Sequence, residues 1–272
     1  MSRFDFDEIL SEKFDAAPST VKRAIYICST PRVGSHALAR YLTSLGWGVP
    51  FEYYADYVMK NLLRRMFAGS TDYVQSESEI YKKYGIFLLR KRVVNEVFSA
   101  KIMVDQIPMF NKIYENGFNK GVKNSFLYVW RADFVAQVAS FVASLRTNQW
   151  SFSDMEVDIG LGRHSNRDIN EDYIVDICKD ILSQETVWMD TFKAQKIKPL
   201  MVEMQQITRS PRSVLKSLAV EWGLPFDESK FAIYAKSEGY QPYANNRDLK
   251  DEIIERFGSV IKEWERYRFG KQ

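Results

Sequence analysis

A short apolar run that passes straight into a tight basic turn, and from there into a helix, constrains this chain most. Ala24-Ile25-Tyr26-Ile27-Cys28 is long enough for a buried strand and carries β-branched residues. Ser29 to Ser35 is turn-rich, punctuated by Pro31 and Gly34. From His36 to Leu45, apolar residues recur at helical spacing (Ala37, Leu38, Tyr41, Leu42, Leu45), and Gly46 stands where a helix C-cap glycine belongs. Strand, tight loop and helix in this order aim backbone N–H groups and the positive helix end at an anion such as phosphate.

The rest of the chain alternates in the same way. Strands are expected at 97–104, 126–130 and 200–203, the last just after Pro199. Helices are expected at 55–67, 77–92, 105–116 (starting near Pro108), 133–146 with Asp133 as N-cap, and 172–195. Ser210 and Pro211 open a helix that Gly223 ends, and a charged helix covers about 248–268. Residues 1–23 form a polar lead-in, and 150–170 a long polar connection of the kind used as lids or binding loops. Alternation of this sort implies α/β architecture: a central parallel sheet with helices on both faces, in one domain spanning 1–272.

Composition narrows the function. Hydrophobic residues make up 46% and charged residues 27% of 272 residues, so the chain can build a core. The net charge of +3, with acids and bases mixed, gives no footprint for nucleic acid. Two cysteines, Cys28 and Cys178, make no disulfide framework, and with two histidines there is no metal-ligand spacing. No apolar leader or membrane-length run is visible, so a cytoplasmic protein is expected.

The loop is not a Walker A motif, which requires Gly-x-x-x-x-Gly-Lys-Ser/Thr. Here Ser35 stands in the lysine's place and the basic residue, Arg32, precedes the glycine. The strand 126–130 ends in Arg131 where a Mg²⁺-binding aspartate would be expected. Arginines at two strand ends suggest phosphate chemistry without a metal.

Cys28-Ser29-Thr30-Pro31-Arg32-Val33-Gly34-Ser35-His36 resembles the 5′-phosphosulfate loop of sulfotransferases that use 3′-phosphoadenosine 5′-phosphosulfate (PAPS), most of all the bacterial trehalose 2-sulfotransferase family. Four further segments resemble it in the same order: Pro50-Phe51-Glu52-Tyr53-Tyr54; Val97 to Met103 with Lys101; Trp130-Arg131-Ala132-Asp133 with Gln137 and Ser140; and Thr147-Asn148-Gln149-Trp150. The likeness covers roughly 24–224.

The resemblance implies a P-loop-like sulfotransferase fold and transfer of a sulfuryl group from PAPS to a hydroxyl of a carbohydrate or glycolipid. It implies that Arg32 and the N–H groups of Val33, Gly34, Ser35 and His36 surround the 5′-phosphate, and that Arg131 and Ser140 take the 3′-phosphate. Glu52 is the implied general base and Lys101 a charge near the transferred group. His36 departs from the family pattern and is the alternative base. Trp47, Phe51, Tyr53, Tyr54 and Tyr57 surround Glu52 in sequence and suit either an acceptor surface or the core. Val202 to Ile207 and the stretch 237–248 also depart from the pattern, which leaves the acceptor open. A homodimer is the default oligomer. Two other readings stay open: a nucleotide-dependent kinase, and a non-catalytic protein of the same fold.

Overall fold

Five strands form one sheet in the order β2-β3-β1-β4-β5 in the computed structural model, which describes residues 10–17, 20–68, 76–115, 121–147, 168–238 and 247–270. These are β1 Arg23–Ser29, β2 Val93–Val94, β3 Val97–Ile102, β4 Lys123–Trp130 and β5 Leu200–Glu203. β1 lies between β3 and β4, parallel to both, and β4 pairs in parallel with β5. Only β2, joined to β3 by the tight turn at Asn95 and Glu96, runs antiparallel. The parallel sheet with helices on both faces agrees with the sequence reading.

Alternation along the strands divides the core. On one face Ala24, Tyr26 and Cys28 of β1 join Phe98, Ala100 and Ile102 of β3 and Tyr128 of β4. Helices α2 (Asp56–Met66), α3 (Glu77–Lys91) and α4 (Ile107–Glu115) close that side. On the other face Ile25, Ile27, Leu127, Val129 and Val202 pack under α1 (Ser35–Ser44). Because β1 has layers on both sides, residues 24–28 are completely buried, as its unbroken apolar run requires. A third cluster joins α5 (Phe134–Thr147), α6 (Glu171–Ala194) and the C-terminal helix.

Two helices were absent from the sequence reading. α7 (Met204–Arg209) follows β5 directly, within the segment that departs from the family pattern. Glu203 caps it by accepting from the N–H groups of Gln205 and Gln206. α8 (Pro211–Trp222) starts on its proline and ends at Gly223, whose φ is 62°. Ser210 precedes it without making the capping bond expected of its side chain. α9 (Glu228–Glu238) then packs on α1, where Tyr41 meets Phe231 and Tyr234. α10 (Arg247–Glu265) completes the helical layer.

The expected Asp133 cap is present: its Oδ1 accepts from the Ala136 N–H at 2.9 Å. The connection 151–167, with His164, lies outside the described residues, as do Asn148, Gln149 and Trp150. No helix of the described residues is long and apolar enough to cross a membrane.

Candidate active site

The C-terminal ends of β1, β3 and β4 converge on the loop 30–34. Crevices at such strand ends are where open α/β sheets bind ligands. The loop is fastened from several sides. Gln137 of α5 donates through Nε2 to Thr30 Oγ1 (3.0 Å) and to the Pro31 carbonyl (2.9 Å). Trp188 of α6 donates its indole N–H to the Ser29 carbonyl at 3.1 Å, and Ser29 Oγ bonds Ser35 Oγ at 3.3 Å. Val33 is buried in the core under α1.

Gly34 caps α1 in the left-handed conformation, with φ 89° and no side-chain capping bond. A Cβ there would stand 2.9 Å from Met204 Cγ, so the position demands glycine on two counts. The first-turn N–H groups are thereby left without a side-chain acceptor from their own cap, which suits an external anion. Arg32 also has positive φ, 64°, a conformation uncommon for a non-glycine residue and found at functional turns.

Arg32 Nε donates to Ser140 Oγ at 3.1 Å. The two residues are 108 positions apart, and this bond brings together the residues assigned by resemblance to the 5′- and 3′-phosphates. Ser140 is 7% exposed, on the face of α5 that turns to the loop. Arg131 follows the last residue of β4 and is half-buried. Lys250 of α10 joins them. Partial burial, with the charges of Arg32 and Arg131, holds its ammonium below the usual lysine pKa, while Asp251 opposes. The charges of both arginines are therefore felt at one amine.

Beside these cations lies a second network. The N–H of Lys101 on β3 donates to the Phe51 carbonyl at 2.9 Å, which draws the segment holding Glu52 onto the strand end. Lys101 Nζ then meets Glu52 Oε1 at 2.6 Å and His36 Nε2 at 2.9 Å. Gln106 Nε2 donates to the other carboxylate oxygen, Oε2, at 2.8 Å. The Lys101 side chain is almost wholly buried, whereas that of Glu52 is 21% exposed. Glu52 is thus held by a donor on each oxygen and open on one side.

Electrostatics fix the protonation states. Burial pushes the Glu52 carboxyl upward, but the Lys101 ammonium, the neighbouring His36 ring and the bonds from Lys101 and Gln106 outweigh it, so the pKa is lowered. His36 is pushed well below its ordinary value, first by the Lys101 ammonium, then by loss of solvation; Arg32 and Arg40 add to this and Glu52 opposes. At neutral pH the imidazole is uncharged and the carboxylate ionised.

Of the site residues expected from the sequence, the structure joins Arg32 to Ser140 and links Glu52, Lys101 and His36, whereas the Val33 side chain belongs to the core. The aromatic residues divide: Trp47, Tyr53 and Tyr54 are buried and belong to the core, while Phe51 and Tyr57 are half-buried. Sequence reading missed Gln106 and Lys250. Gln106 sits on a 3₁₀ turn, Val104–Gln106, and reaches Glu52 across 54 positions. Lys250 sits in a helix whose pattern reads as an ordinary charged surface. Neither spacing carries a local signal.

The Stf0 sulphotransferase family model matches residues 24–231. No curated protein sequence matches the chain. Among solved structures, the sulfotransferase domain from the curacin biosynthetic pathway is 12% identical, with a TM-score of 0.49 over 88% of this chain and 99% of that one. The sulfotransferase STF9 from Mycobacterium avium is 10% identical, with a TM-score of 0.48 over 90% of this chain and 77% of that one. Mouse sulfotransferase SULT7A1, complexed with PAP, is 14% identical, with a TM-score of 0.45 over 96% of this chain and 93% of that one. The family match spans well over half the sequence, from the first residues of β1 to α9, and includes the loop, Glu52, Lys101, Arg131 and Ser140: the chain belongs to the Stf0 sulphotransferase family.

Proposed function

We propose that this sulfotransferase takes its sulfuryl group from PAPS and passes it to a hydroxyl of a carbohydrate or glycolipid. The observation that carries the donor assignment is the Arg32–Ser140 bond with Arg131 and Lys250 around it. One crevice then presents two adjoining cationic subsites, as a ligand with two separate anionic groups requires. The glycine-capped start of α1 and Arg32 would hold the 5′-phosphosulfate; Arg131, Ser140 and Lys250 would hold the 3′-phosphate. Arginine suits both places because its fork binds phosphate oxygens in pairs.

In this reading Glu52 is the general base. The acceptor oxygen attacks sulfur in line with the departing phosphate oxygen. The O–S bond forms, the S–O bond to the phosphate breaks, and the hydroxyl proton passes to Glu52. The leaving oxygen keeps the electron pair, and Arg32 with the α1 N–H groups offsets its charge. Lys101 lies against Glu52 and supplies positive charge beside the transferred group. His36 is the weaker candidate for base: its lone pair faces the Lys101 ammonium. The carbohydrate assignment rests on the resemblance around Glu52.

Calorimetric titration tests the donor assignment. Adenosine 3′,5′-bisphosphate should bind in the presence of chelator, and ATP with Mg²⁺ should not compete. Binding of Mg²⁺–ATP alone would overturn the reading in favour of a kinase. Labelled PAPS with a panel of sugars and glycolipids then identifies the acceptor.

A further inference from the structure

Remote from both phosphate subsites in sequence, the last turn of the chain reaches the backbone that carries Arg131. Arg268 lies in a 3₁₀ turn, Arg268–Gly270, yet is 5% exposed. Its Nη1 donates to the carbonyls of Arg131 (2.6 Å) and Ala132 (3.3 Å). Its Nε and Nη2 face the carboxylate of Glu185 on α6, with Nε at 3.1 and 3.2 Å from the two oxygens. Glu185 is completely buried. The rings of Trp130, Phe134 and Phe269 lie 5.1 to 5.5 Å from the guanidinium carbon. On the opposite side of the same peptide, Glu203 Oε1 accepts from the Ala132 N–H at 3.2 Å.

The two residues after β4 are therefore clamped through their carbonyls and an amide, without a hydrogen bond to the Arg131 side chain. A buried ion pair is a poor stabiliser, since desolvating two charges offsets most of their attraction. Apolar residues of similar size would serve the core at least as well. What apolar residues could not do is hold the Arg131 and Ala132 carbonyls. The Arg131 side chain itself makes no hydrogen bond or ion pair to a described residue, so its direction depends on the backbone beneath it. Binding sites need such support, because a guanidinium that must find its geometry loses affinity.

We propose that Arg268, oriented by Glu185, is a positioning residue that aims Arg131 at the 3′-phosphate of the donor. The C-terminal turn is then part of the donor site although it touches no ligand. The proposal rests on the reading that Arg131 binds the 3′-phosphate.

The test compares adenosine 3′,5′-bisphosphate with adenosine 5′-monophosphate by calorimetry on the full chain. Two variants are used: Arg268→Lys, which keeps a charge opposite Glu185, and Arg268→Met with Glu185→Leu, which removes both charges and leaves an apolar core that folds. Both should bind the bisphosphate about tenfold more weakly, the loss expected when one charge-assisted contact is misaligned. Both should bind the monophosphate as the wild type does. Equal losses for the two ligands would mean a merely structural role, and an unchanged preference would mean no role; either result overturns the proposal. A wild type that does not prefer the bisphosphate would instead overturn the Arg131 assignment, and the positioning role with it.

Discussion

Glu52 is tied to two donors, and this sets what its replacement should do. Glu52→Gln preserves size and can still accept from Lys101, so the loop and the cations of the proposed donor site stay in place. Bisphosphate affinity should be nearly unchanged, while turnover falls by about 10²–10⁴-fold, the usual contribution of a general base. Stopped assays with labelled donor, beside calorimetry, check both halves; a fully active variant would remove Glu52 from the mechanism. On the proposed mechanism Lys101 sets the pH at which Glu52 works as a base. With the ammonium present the carboxylate pKa is lowered, so the acid limb of the rate profile should lie below the ordinary glutamate range. Lys101→Met removes the opposing charge and leaves burial unbalanced, so the limb should move to higher pH. The same change should release His36, whose pKa is depressed chiefly by Lys101, and move it upward. Only two histidines exist in the chain, His36 and His164, so proton NMR titration can follow the shift directly. A His36 titration identical in both proteins would show that the ammonium is not beside it in solution.

The β1–loop–α1 unit has its own test. Gly34→Ala meets a backbone penalty of about 1–2 kcal/mol for the left-handed conformation, and a steric one from Met204 Cγ at 2.9 Å. It should lower stability in urea denaturation and weaken bisphosphate binding. Adding Met204→Ala should relieve the contact but not the φ cost, so the double variant should recover only part of the loss. Full recovery would mean that the backbone conformation carries no strain. This unit was readable from the sequence because its period changes from continuous burial to helical spacing within a few residues, with glycine at the junction. β2 was not, because two residues give no period. α9 was missed because its apolar residues form no clear stripe, and Ile233 faces solvent at 69% exposure. α7 is only six residues long and takes its start from the Glu203 side chain rather than from a pattern. The residues of the loop proposed to hold phosphate share one stretch of chain and are visible there as a motif. Gln106, Lys250 and Arg268 reach the site only through the packing of helices and turns, which no local spacing records.

Charge over the whole molecule shows why a net of only +3 does not describe the C-terminal edge of the sheet. Surface pairs such as Lys22 with Glu96 and Lys60 with Asp56 cancel locally and contribute little. At the C-terminal edge of the sheet the balance differs. Arg32 comes from the β1 end, Arg131 from the β4 end and Lys250 from a helix more than a hundred positions later, and their mutual repulsion helps lower the Lys250 pKa. Such repulsion is a cost of folding that an arriving dianion would reverse. Lys250→Met should therefore raise the stability of the ligand-free protein slightly, or leave it unchanged, while weakening bisphosphate binding roughly fivefold, as for the loss of one partly exposed ion pair. The remaining affinity should also depend less steeply on salt, because one screened attraction is gone. For the wild type the sign with pH follows: anion binding favours the charged amine, so affinity should fall as pH rises through the lowered Lys250 pKa, and binding in that range should take up protons. Calorimetry in buffers of different ionisation enthalpy measures that uptake. Its absence in the wild type, or its persistence in Lys250→Met, would place the lysine outside the donor site and leave the two arginines to bind the dianion alone.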